Sequence, residues 1–274
     1  MGESPIGIFD SGLGGLSVLR QILSALPQEA VVYLADQAHV PYGPRPLQQV
    51  QAFSVGITRF LLDLGAKLIV VACNTASAAA LQHLRLTFPA VPFVGMEPAV
   101  KPAAESSQTK VVGVLATPAT FQGALFASVV ERFAGGVEVV QQTLPGLVEQ
   151  IEAGDFDGAE TRAIVRRGLE PLLERGVDTL VLGCTHYPFV IPLIQELAGP
   201  GVQVIDPSPA IARQTARLLA ERHLASPLPA RPDTRFFTSG DPRRLEEMLP
   251  RLLGQPGDVL PAVWLAERLV AARS

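Results

Sequence analysis

Short runs of β-branched and other apolar residues alternate along the chain with longer segments in which apolar residues recur at every third or fourth position. The short runs predict strands, because a strand buried on both faces of a sheet needs apolar side chains at consecutive positions. The longer segments predict amphipathic helices, whose apolar stripe packs against a sheet. The predicted strands are residues 6–9, 31–35, 68–72, 91–95, 111–115, 137–141, 179–183 and 202–205. The predicted helices are residues 16–26, 47–64, 75–87, 120–133, 158–175 and 209–224.

Strands that alternate with helices are typical of an α/β fold with mostly parallel sheets flanked by helices. The chain has 274 residues, of which 48% are hydrophobic and 18% charged, so it can bury the core of one large domain or of two ordinary ones. The segment 208–274 adds a long helix, a Pro-rich linker at residues 226–232, a short strand at 234–238 and further helices.

Two pairs of segments resemble each other. GAKLIVVACNTA at 65–76 aligns without a gap with GVDTLVLGCTHY at 176–187, cysteine on cysteine, and IGIFDS at 6–11 aligns with VGVLAT at 112–117. One such match could be coincidence, because apolar strands look alike, but two matches in the same order favour an internal duplication. The sequence therefore predicts two quasi-equivalent lobes. The tail has no counterpart and is expected to complete one of them.

Charge and cysteine content exclude several classes of protein. A formal net charge of −4 gives no general attraction to nucleic acid or to an anionic membrane, so neither is predicted as a partner. The segment MGESPIGIFDSG lacks the features of a signal peptide. Two cysteines without a CxxC motif are too few for a disulfide framework, and no metal site is predicted. We expect a cytoplasmic protein with reduced thiols.

Polar residues follow several of the predicted strands at the point where each strand ends. In an open α/β sheet, ligands bind just beyond the carboxyl ends of the strands. Two facing lobes would bring both sets of strand ends to one cleft, where we expect the active site. These residues are Asp10-Ser11, Asp36, Cys73-Asn74-Thr75, Thr117 and Cys184-Thr185-His186.

Cys73 and Cys184 are the strongest chemical candidates. A single buried cysteine more often packs than reacts, but both cysteines of this chain occupy equivalent repeat positions. A thiol at the start of a helix is expected to have a pKa lowered from about 8.5 by the helix dipole. A disulfide between them is disfavoured by the expected compartment. His186, two residues after Cys184, is favoured as a charge partner or general acid over a purely structural histidine.

Two glycine-containing turns carry weaker signals. Gly12 and Gly14 suggest a dinucleotide fingerprint, but Ser17 stands where that pattern needs Gly or Ala. A tight turn whose backbone N–H groups hold a carboxylate is the better interpretation. The segment Pro41-Tyr42-Gly43 is a turn by composition.

Two equivalent thiols indicate a particular chemistry. Inverting an amino-acid α-carbon requires removal of its proton from one face and return of a proton to the other, and two bases on opposite faces can do this. A pseudo-two-fold axis through the cleft would place equivalent groups on those two faces. A hydrolase with one catalytic thiol would have no use for the second copy.

The motifs FDSGLGG (9–15), LADQAHVPYG (34–43), ACNTASA (72–78) and GCTHYP (183–188) resemble those of the glutamate racemase family, in the same order and across nearly the whole chain. The resemblance implies a cofactor-independent, cytoplasmic homodimer that makes D-glutamate for peptidoglycan. It also implies that residues 1–98 and 208–274 form the first lobe and residues 99–207 the second, with the active site between them.

The resemblance also implies roles for individual residues. Cys73 would take the α-proton of D-glutamate with help from Asp10, and Cys184 that of L-glutamate with help from His186 and Glu152. Glu152 is identified by the similarity of PGLVEQIEAG (145–154) to a family segment. The implied substrate-binding residues are Asp10, Ser11, Pro41, Tyr42, Gly43, Asn74, Thr75, Thr117, Thr120, Thr185 and His186.

The chain departs from the family pattern in two places. Residues 144–149 differ from the usual segment, which puts Glu152 in doubt, and Gly123 and Phe126 replace a common Ser and Tyr. The alternatives are an aspartate racemase, a non-catalytic two-lobed amino-acid-binding protein, and a thiol hydrolase using Cys184 and His186. Aspartate racemases usually have Glu after Cys-Thr, so His186 favours glutamate.

Overall fold

A computed structural model describes residues 4–227 and 234–272. The strands are β1 (Ile6–Asp10), β2 (Val31–Ala35), β3 (Leu68–Val71), β4 (Phe93–Gly95), β5 (Val111–Ala116), β6 (Glu138–Gln142), β7 (Thr179–Gly183), β8 (Gln203–Ile205), β9 (Arg235–Thr238), β10 (Val259–Leu265) and β11 (Arg268–Ala271). The helices are α1 (Leu16–Ala25), α2 (Leu47–Asp63), α3 (Asn74–Thr87), α4 (Val100–Ser106), α5 (Pro118–Gln122), α6 (Ala124–Phe133), α7 (Leu147–Glu152), α8 (Ala159–Glu174), α9 (Ile191–Ala198), α10 (Ser208–Glu221) and α11 (Pro242–Leu253). A short 3₁₀ helix spans Tyr187–Val190.

The strands form two separate sheets, one for each lobe. Over the described residues, the first has seven strands in the order β11-β10-β9-β2-β1-β3-β4, and the second has four in the order β6-β5-β7-β8. Every neighbouring pair is parallel except β10 and β11. The α/β architecture predicted from the alternation of strands and helices is confirmed.

The second sheet repeats the strand order found at the centre of the first. The order β2-β1-β3-β4 becomes β6-β5-β7-β8 when each strand is moved on by four. The segments that resemble each other in sequence therefore lie on equivalent strands, β1 with β5 and β3 with β7. The prediction of two quasi-equivalent lobes is confirmed, and each cysteine lies at the carboxyl end of the third strand of its lobe. The exact lobe boundaries stay a prediction.

Both sheets are covered on both faces, which explains their continuous apolar strands. In the first lobe, α1, α10 and α11 cover one face, and α2 and α3 cover the other. In the second, α7, α8 and α9 cover one face, and α4 and α6 the other. Within the described ranges, no helix has the length and apolarity needed to span a membrane.

Two local predictions were wrong. The predicted helix at 120–133 is two helices, because the chain is extended at Gly123, where an added Cβ would lie only 2.7 Å from the Cβ of Ala78. The tail has one helix after β9, and then the antiparallel hairpin β10–β11 where further helices were expected. The predicted linker at 226–232 lies largely outside the described residues.

Asp178, just before β7, fastens the segment that leads into β5. Its Oδ1 accepts hydrogen bonds from the hydroxyls of Ser107 (2.7 Å) and Thr179 (3.1 Å). Its Oδ2 accepts from the backbone N–H groups of Gln108 (2.7 Å) and Thr109 (2.9 Å). Partial burial would raise the pKa of this carboxyl, but the four donors outweigh it and lower the pKa to about 2.

We predict that Asp178→Asn lowers the free energy of unfolding at neutral pH by about 1–2 kcal/mol, because an amide nitrogen cannot accept the two backbone N–H groups. A carboxyl whose pKa is lowered by folding stabilises the fold above its unfolded pKa, and this stabilisation is lost as the pH falls through the folded pKa. The difference between wild type and variant in urea unfolding should therefore shrink as the pH falls from about 5 towards 3. The exposed Asp258→Asn is the control, and an Asp178 effect that does not change with pH would contradict this account.

Candidate active site

One small cavity lies where the carboxyl ends of the strands of both lobes meet. Both cysteines line it, together with every residue of the predicted substrate-binding set except Asp10 and Thr120. The cavity is lined by Ser11, Pro41, Tyr42, Gly43, Cys73, Asn74, Thr75, Thr117, Val148, Cys184, Thr185 and His186. Two buried thiols from equivalent strands therefore line the same small cavity.

Cys73 caps the N-terminus of α3. Its sulfur accepts a hydrogen bond from the backbone N–H of Ala76 at 3.5 Å, and its thiol lies 4.0 Å from the hydroxyl of Ser11. Burial, followed by the charge of Asp10, raises the pKa of Cys73 well above its ordinary value. The expectation that the helix would lower this pKa was wrong, because desolvation and a neighbouring carboxylate outweigh one N–H donor.

Asp10 is fully buried behind Cys73, at the end of β1. Its Oδ2 accepts hydrogen bonds from the backbone N–H groups of Gly12 (3.2 Å) and Gly15 (3.0 Å). Its Oδ1 accepts from the hydroxyl of Thr185 in the other lobe at 3.3 Å. Burial raises the pKa of Asp10 despite these donors. The thiol of Cys73 and the carboxyl of Asp10 therefore lie side by side, and the pKa of each is raised.

Cys184 has different neighbours. The Nδ1 of His186 lies 3.8 Å from the sulfur, and the Nε2 of the same ring lies 2.6 Å from Oε1 of Glu152. Burial would lower the pKa of His186, but its hydrogen bonds to Cys184 and Glu152 outweigh burial and raise that pKa well above its ordinary value. Burial would raise the pKa of Glu152, but its bonds to His186 and to the backbone of Leu13 lower it. The imidazole and the carboxylate form a buried ion pair behind this thiol.

The glycine turn after β1 contacts the side chains that lie beside both thiols. The N–H of Leu13 donates to Oε1 of Glu152 at 2.6 Å, while the N–H groups of Gly12 and Gly15 hold Asp10. The turn therefore holds two carboxylates of the protein itself. A Cβ on Gly12 would lie 2.0 Å from Oε1 of Glu152, and one on Gly14 would lie 2.4 Å from Nδ1 of His186. A side chain at Gly12 or Gly14 would therefore displace the Glu152 or His186 side chain from its position at the junction of the lobes.

The side-chain amide of Asn74 indicates a ligand-binding site. Its side-chain nitrogen and oxygen are both buried, and neither has a hydrogen-bond partner among the described residues. A buried amide without partners is costly, and in a cavity wall it is suited to a polar ligand. Beside it, the hydroxyl of Thr117 lies 2.8 Å from that of Thr75 and 3.0 Å from that of Thr120. Thr120 thus lies behind the wall and orients the hydroxyls that form it.

The Pro41–Gly43 turn is fixed by Asp36. Tyr42 lines the cavity, but its hydroxyl donates to Oδ2 of Asp36 at 2.6 Å. The other Asp36 oxygen accepts from Ser239 (2.6 Å) and from the indole of Trp264 (2.7 Å). The C-terminal segment thereby supports the wall of the cavity. Within the described residues, no group of three or more His, Cys, Asp or Glu side chains is arranged to hold a metal ion.

Several residues near the site were not predicted. Val148 lines the cavity, Gln37 donates to Oε2 of Glu152 at 3.0 Å, and Ser17 donates to the backbone oxygen of Thr185 at 2.9 Å. Gln37 lies inside the LADQAHVPYG motif, but its residue type alone gives no sign of a partner in the other lobe.

Known proteins resemble this chain over most of its length. Residues 6–215 match the profile of a family described as Asp/Glu/Hydantoin racemase. A glutamate racemase of Pseudomonas paraeruginosa is 53% identical over 258 residues, which cover 94% of this chain and 97% of that protein. A crystal structure of a glutamate racemase from Bacillus anthracis has a TM-score of 0.86 at 32% identity and covers 93% of this chain and 96% of that one.

A crystal structure of Escherichia coli glutamate racemase in complex with L-glutamate has a TM-score of 0.83 at 31% identity and covers 98% of this chain and 100% of that one. The family profile, the high identity and the two-lobed structures agree with one another. The chain belongs to the Asp/Glu/hydantoin racemase family, and within it the chain is an isomerase of the glutamate racemase type.

Proposed function

We propose that the chain interconverts L- and D-glutamate by transferring protons at the α-carbon between two cysteine bases, without an added cofactor. Cys184 acts on the L enantiomer and Cys73 on the D enantiomer. The observation that carries this proposal is that both thiols line one cavity from equivalent strands of opposite lobes. Neither a single-thiol hydrolase nor a binding protein needs that arrangement.

The reaction starts with one cysteine as thiolate and the other as thiol. The thiolate takes the α-proton, so an S–H bond forms as the C–H bond breaks, and the electron pair is delocalised into the substrate's α-carboxylate. The other thiol then donates its proton to the opposite face and becomes the thiolate. The products are the other enantiomer and a protein ready for the reverse reaction, so no oxidant or reductant is consumed.

The cation near each sulfur comes from a different source. His186, held by Glu152, keeps a cation beside Cys184 and stabilises its thiolate. Cys73 has the carboxyl of Asp10 beside it, and burial together with that carboxylate raises the pKa of the thiol. The substrate's ammonium group supplies the missing cation when it binds, which favours the Cys73 thiolate.

Glutamate suits the walls of this cavity. Its two carboxylates need donors, and the cavity offers the unpartnered amide of Asn74 and the hydroxyls of Ser11, Thr75, Thr117 and Thr185. Similar proteins are glutamate racemases, and the E. coli structure holds L-glutamate. We further propose that the product is D-glutamate for peptidoglycan. The cytoplasmic location and the homodimer implied by the family resemblance stay predictions.

With no cofactor added, the purified protein should exchange the α-proton of L- and of D-glutamate with deuterium from D₂O. It should at the same time invert the configuration of the α-carbon. The measurement is proton NMR of the α-position combined with optical rotation. L- and D-aspartate are the matched control substrates, because they differ by one methylene. Exchange with aspartate and none with glutamate would overturn the substrate assignment while keeping the chemistry.

Cys73→Ser and Cys184→Ser should each lower the rate of racemisation by about a hundredfold to ten-thousandfold, because a hydroxyl is a far weaker acid than a thiol and seldom ionises. Circular dichroism of each variant controls for folding. If Cys73→Ser kept full activity, the two-base scheme would fail, and a one-thiol reaction at Cys184 would be favoured.

Glu152→Gln should lower kcat by at least about tenfold, because His186 loses the carboxylate that holds it as a cation. Loss of that charge should also lower the pKa of His186, which NMR titration of the imidazole can measure. The matched control is Glu149→Gln, an exposed carboxylate in the first turn of the same helix. Unchanged kinetics and an unchanged His186 titration in Glu152→Gln would show that the assisting acid lies elsewhere.

A further inference from the structure

We propose that Gln37 is a positioning residue for the Cys184 half of the reaction, because it fixes the Glu152 carboxylate from across the junction between the lobes. Gln37 follows β2 in the first lobe, whereas Glu152 ends α7 in the second. Glu152 in turn holds His186 against Cys184. This inference rests on the proposed function, in which Cys184 exchanges a proton with L-glutamate.

The two oxygens of Glu152 have separate tasks. Oε1 accepts from the N–H of Leu13 and from Nε2 of His186, each at 2.6 Å. Oε2 accepts from Nε2 of Gln37 at 3.0 Å, the one side-chain or backbone donor that the described residues offer to it. Glu152 is only 7% exposed, so water replaces this donor poorly. Without Gln37, Oε2 loses this donor, and the carboxylate is fixed only through the two hydrogen bonds at Oε1.

Gln37 is itself held in one orientation. The hydroxyl of Thr238, at the end of β9, donates to Oε1 of Gln37 at 2.8 Å. That hydroxyl accepts from the N–H of Gly240 at 3.0 Å, which directs its proton towards Gln37. The amide oxygen therefore faces Thr238, and the amide nitrogen faces Glu152. A side chain anchored at both ends can impose its geometry on a carboxylate, as a positioning residue must.

The arrangement acts on one thiol only. Among the described residues, the side-chain hydrogen bonds of Gln37 are those to Thr238 and Glu152, and neither Cys73 nor Asp10 is among its partners. The charged and titratable groups that face His186 are Glu152, Cys184 and Asp10. Loss of Gln37 leaves the hydrogen bonds of Asp10 in place and removes one donor from Glu152.

Isotope effects can separate the two halves of the reaction. Because enantiomers have equal free energy, kcat/KM has the same value in both directions for the wild type and for every variant. This quantity alone therefore cannot identify the impaired thiol. If proton transfer at Cys184 becomes slower, it limits the rate more, and the primary isotope effect on kcat/KM with L-[2-²H]glutamate rises. The effect with D-[2-²H]glutamate then falls, because transfer to Cys73 limits the rate less. A general loss of packing would not move the two effects in opposite directions.

The variant is Gln37→Met, which keeps the length of the side chain and removes its donor. We expect kcat to fall about tenfold, the loss typical of one hydrogen bond to a charged group. The isotope effect should rise for L-[2-²H]glutamate and fall for D-[2-²H]glutamate. Gln49→Met, an exposed glutamine on α2, is the matched control and should change neither. Thr238→Val, which removes the anchor and keeps Gln37, should shift both isotope effects in the same directions by less.

A double variant gives a second test. If Gln37 acts through Glu152, then Gln37→Met should cost little further activity in the Glu152→Gln background, whereas independent effects would multiply. Suppose that the wild type racemises glutamate and that either Cys→Ser change abolishes this activity. Unaltered isotope effects in Gln37→Met would then overturn the role of Gln37 alone. A wild type without glutamate racemisation, or with an active Cys→Ser variant, would overturn the proposed function instead.

Discussion

The site depends on keeping one carboxylate charged while it is buried between the lobes. An ionised carboxylate out of water needs a full set of donors, and Glu152 takes them from both lobes: the backbone of Leu13 and the amide of Gln37 from the first, the imidazole of His186 from the second. These bonds form only when the lobes meet at one distance and angle. The need for close approach explains why Gly12 has no side chain, because a Cβ there would lie only 2.0 Å from Oε1.

The duplicated strand order places the two thiols symmetrically but gives them different helpers. The aligned segments pair Asp10 with Ala116 and Thr75 with His186. The second lobe therefore has no acid at the position that supports Cys73, and the first has no imidazole at the position that supports Cys184. Glu152, brought from α7, completes the second set. A reaction that needs a base on each of two faces can keep the symmetric backbone while the surrounding charges diverge.

Much of the fold and of the cavity wall could be predicted from the sequence, because parallel strands bring their carboxyl ends to one edge. That rule places Cys73 and Asn74 at one edge and Thr117 and Cys184 at another. Two facing lobes then bring both pairs to one cleft. Glu152 was found only through the family resemblance, since its helix position gives no sign of a partner 34 residues away. Gln37 and Val148 depend on how the lobes dock, which no local pattern encodes. The pKa of Cys73 was predicted in the wrong direction because its burial and its distance from Asp10 are properties of the folded chain.

The placement of charge then decides which charge a substrate has to supply. Near Cys184 the positive charge belongs to the protein, since the bonds to Cys184 and Glu152 raise the pKa of His186. Near Cys73, burial raises the pKa of both the thiol and Asp10, so that side favours neutral groups until a cation arrives. In the proposed reaction that cation is the substrate's ammonium group. An amino acid therefore completes the electrostatics of the base that will act on it, whereas a ligand without an ammonium leaves Cys73 protonated. Selectivity for amino acids and activation of one of the two bases are on this argument the same interaction.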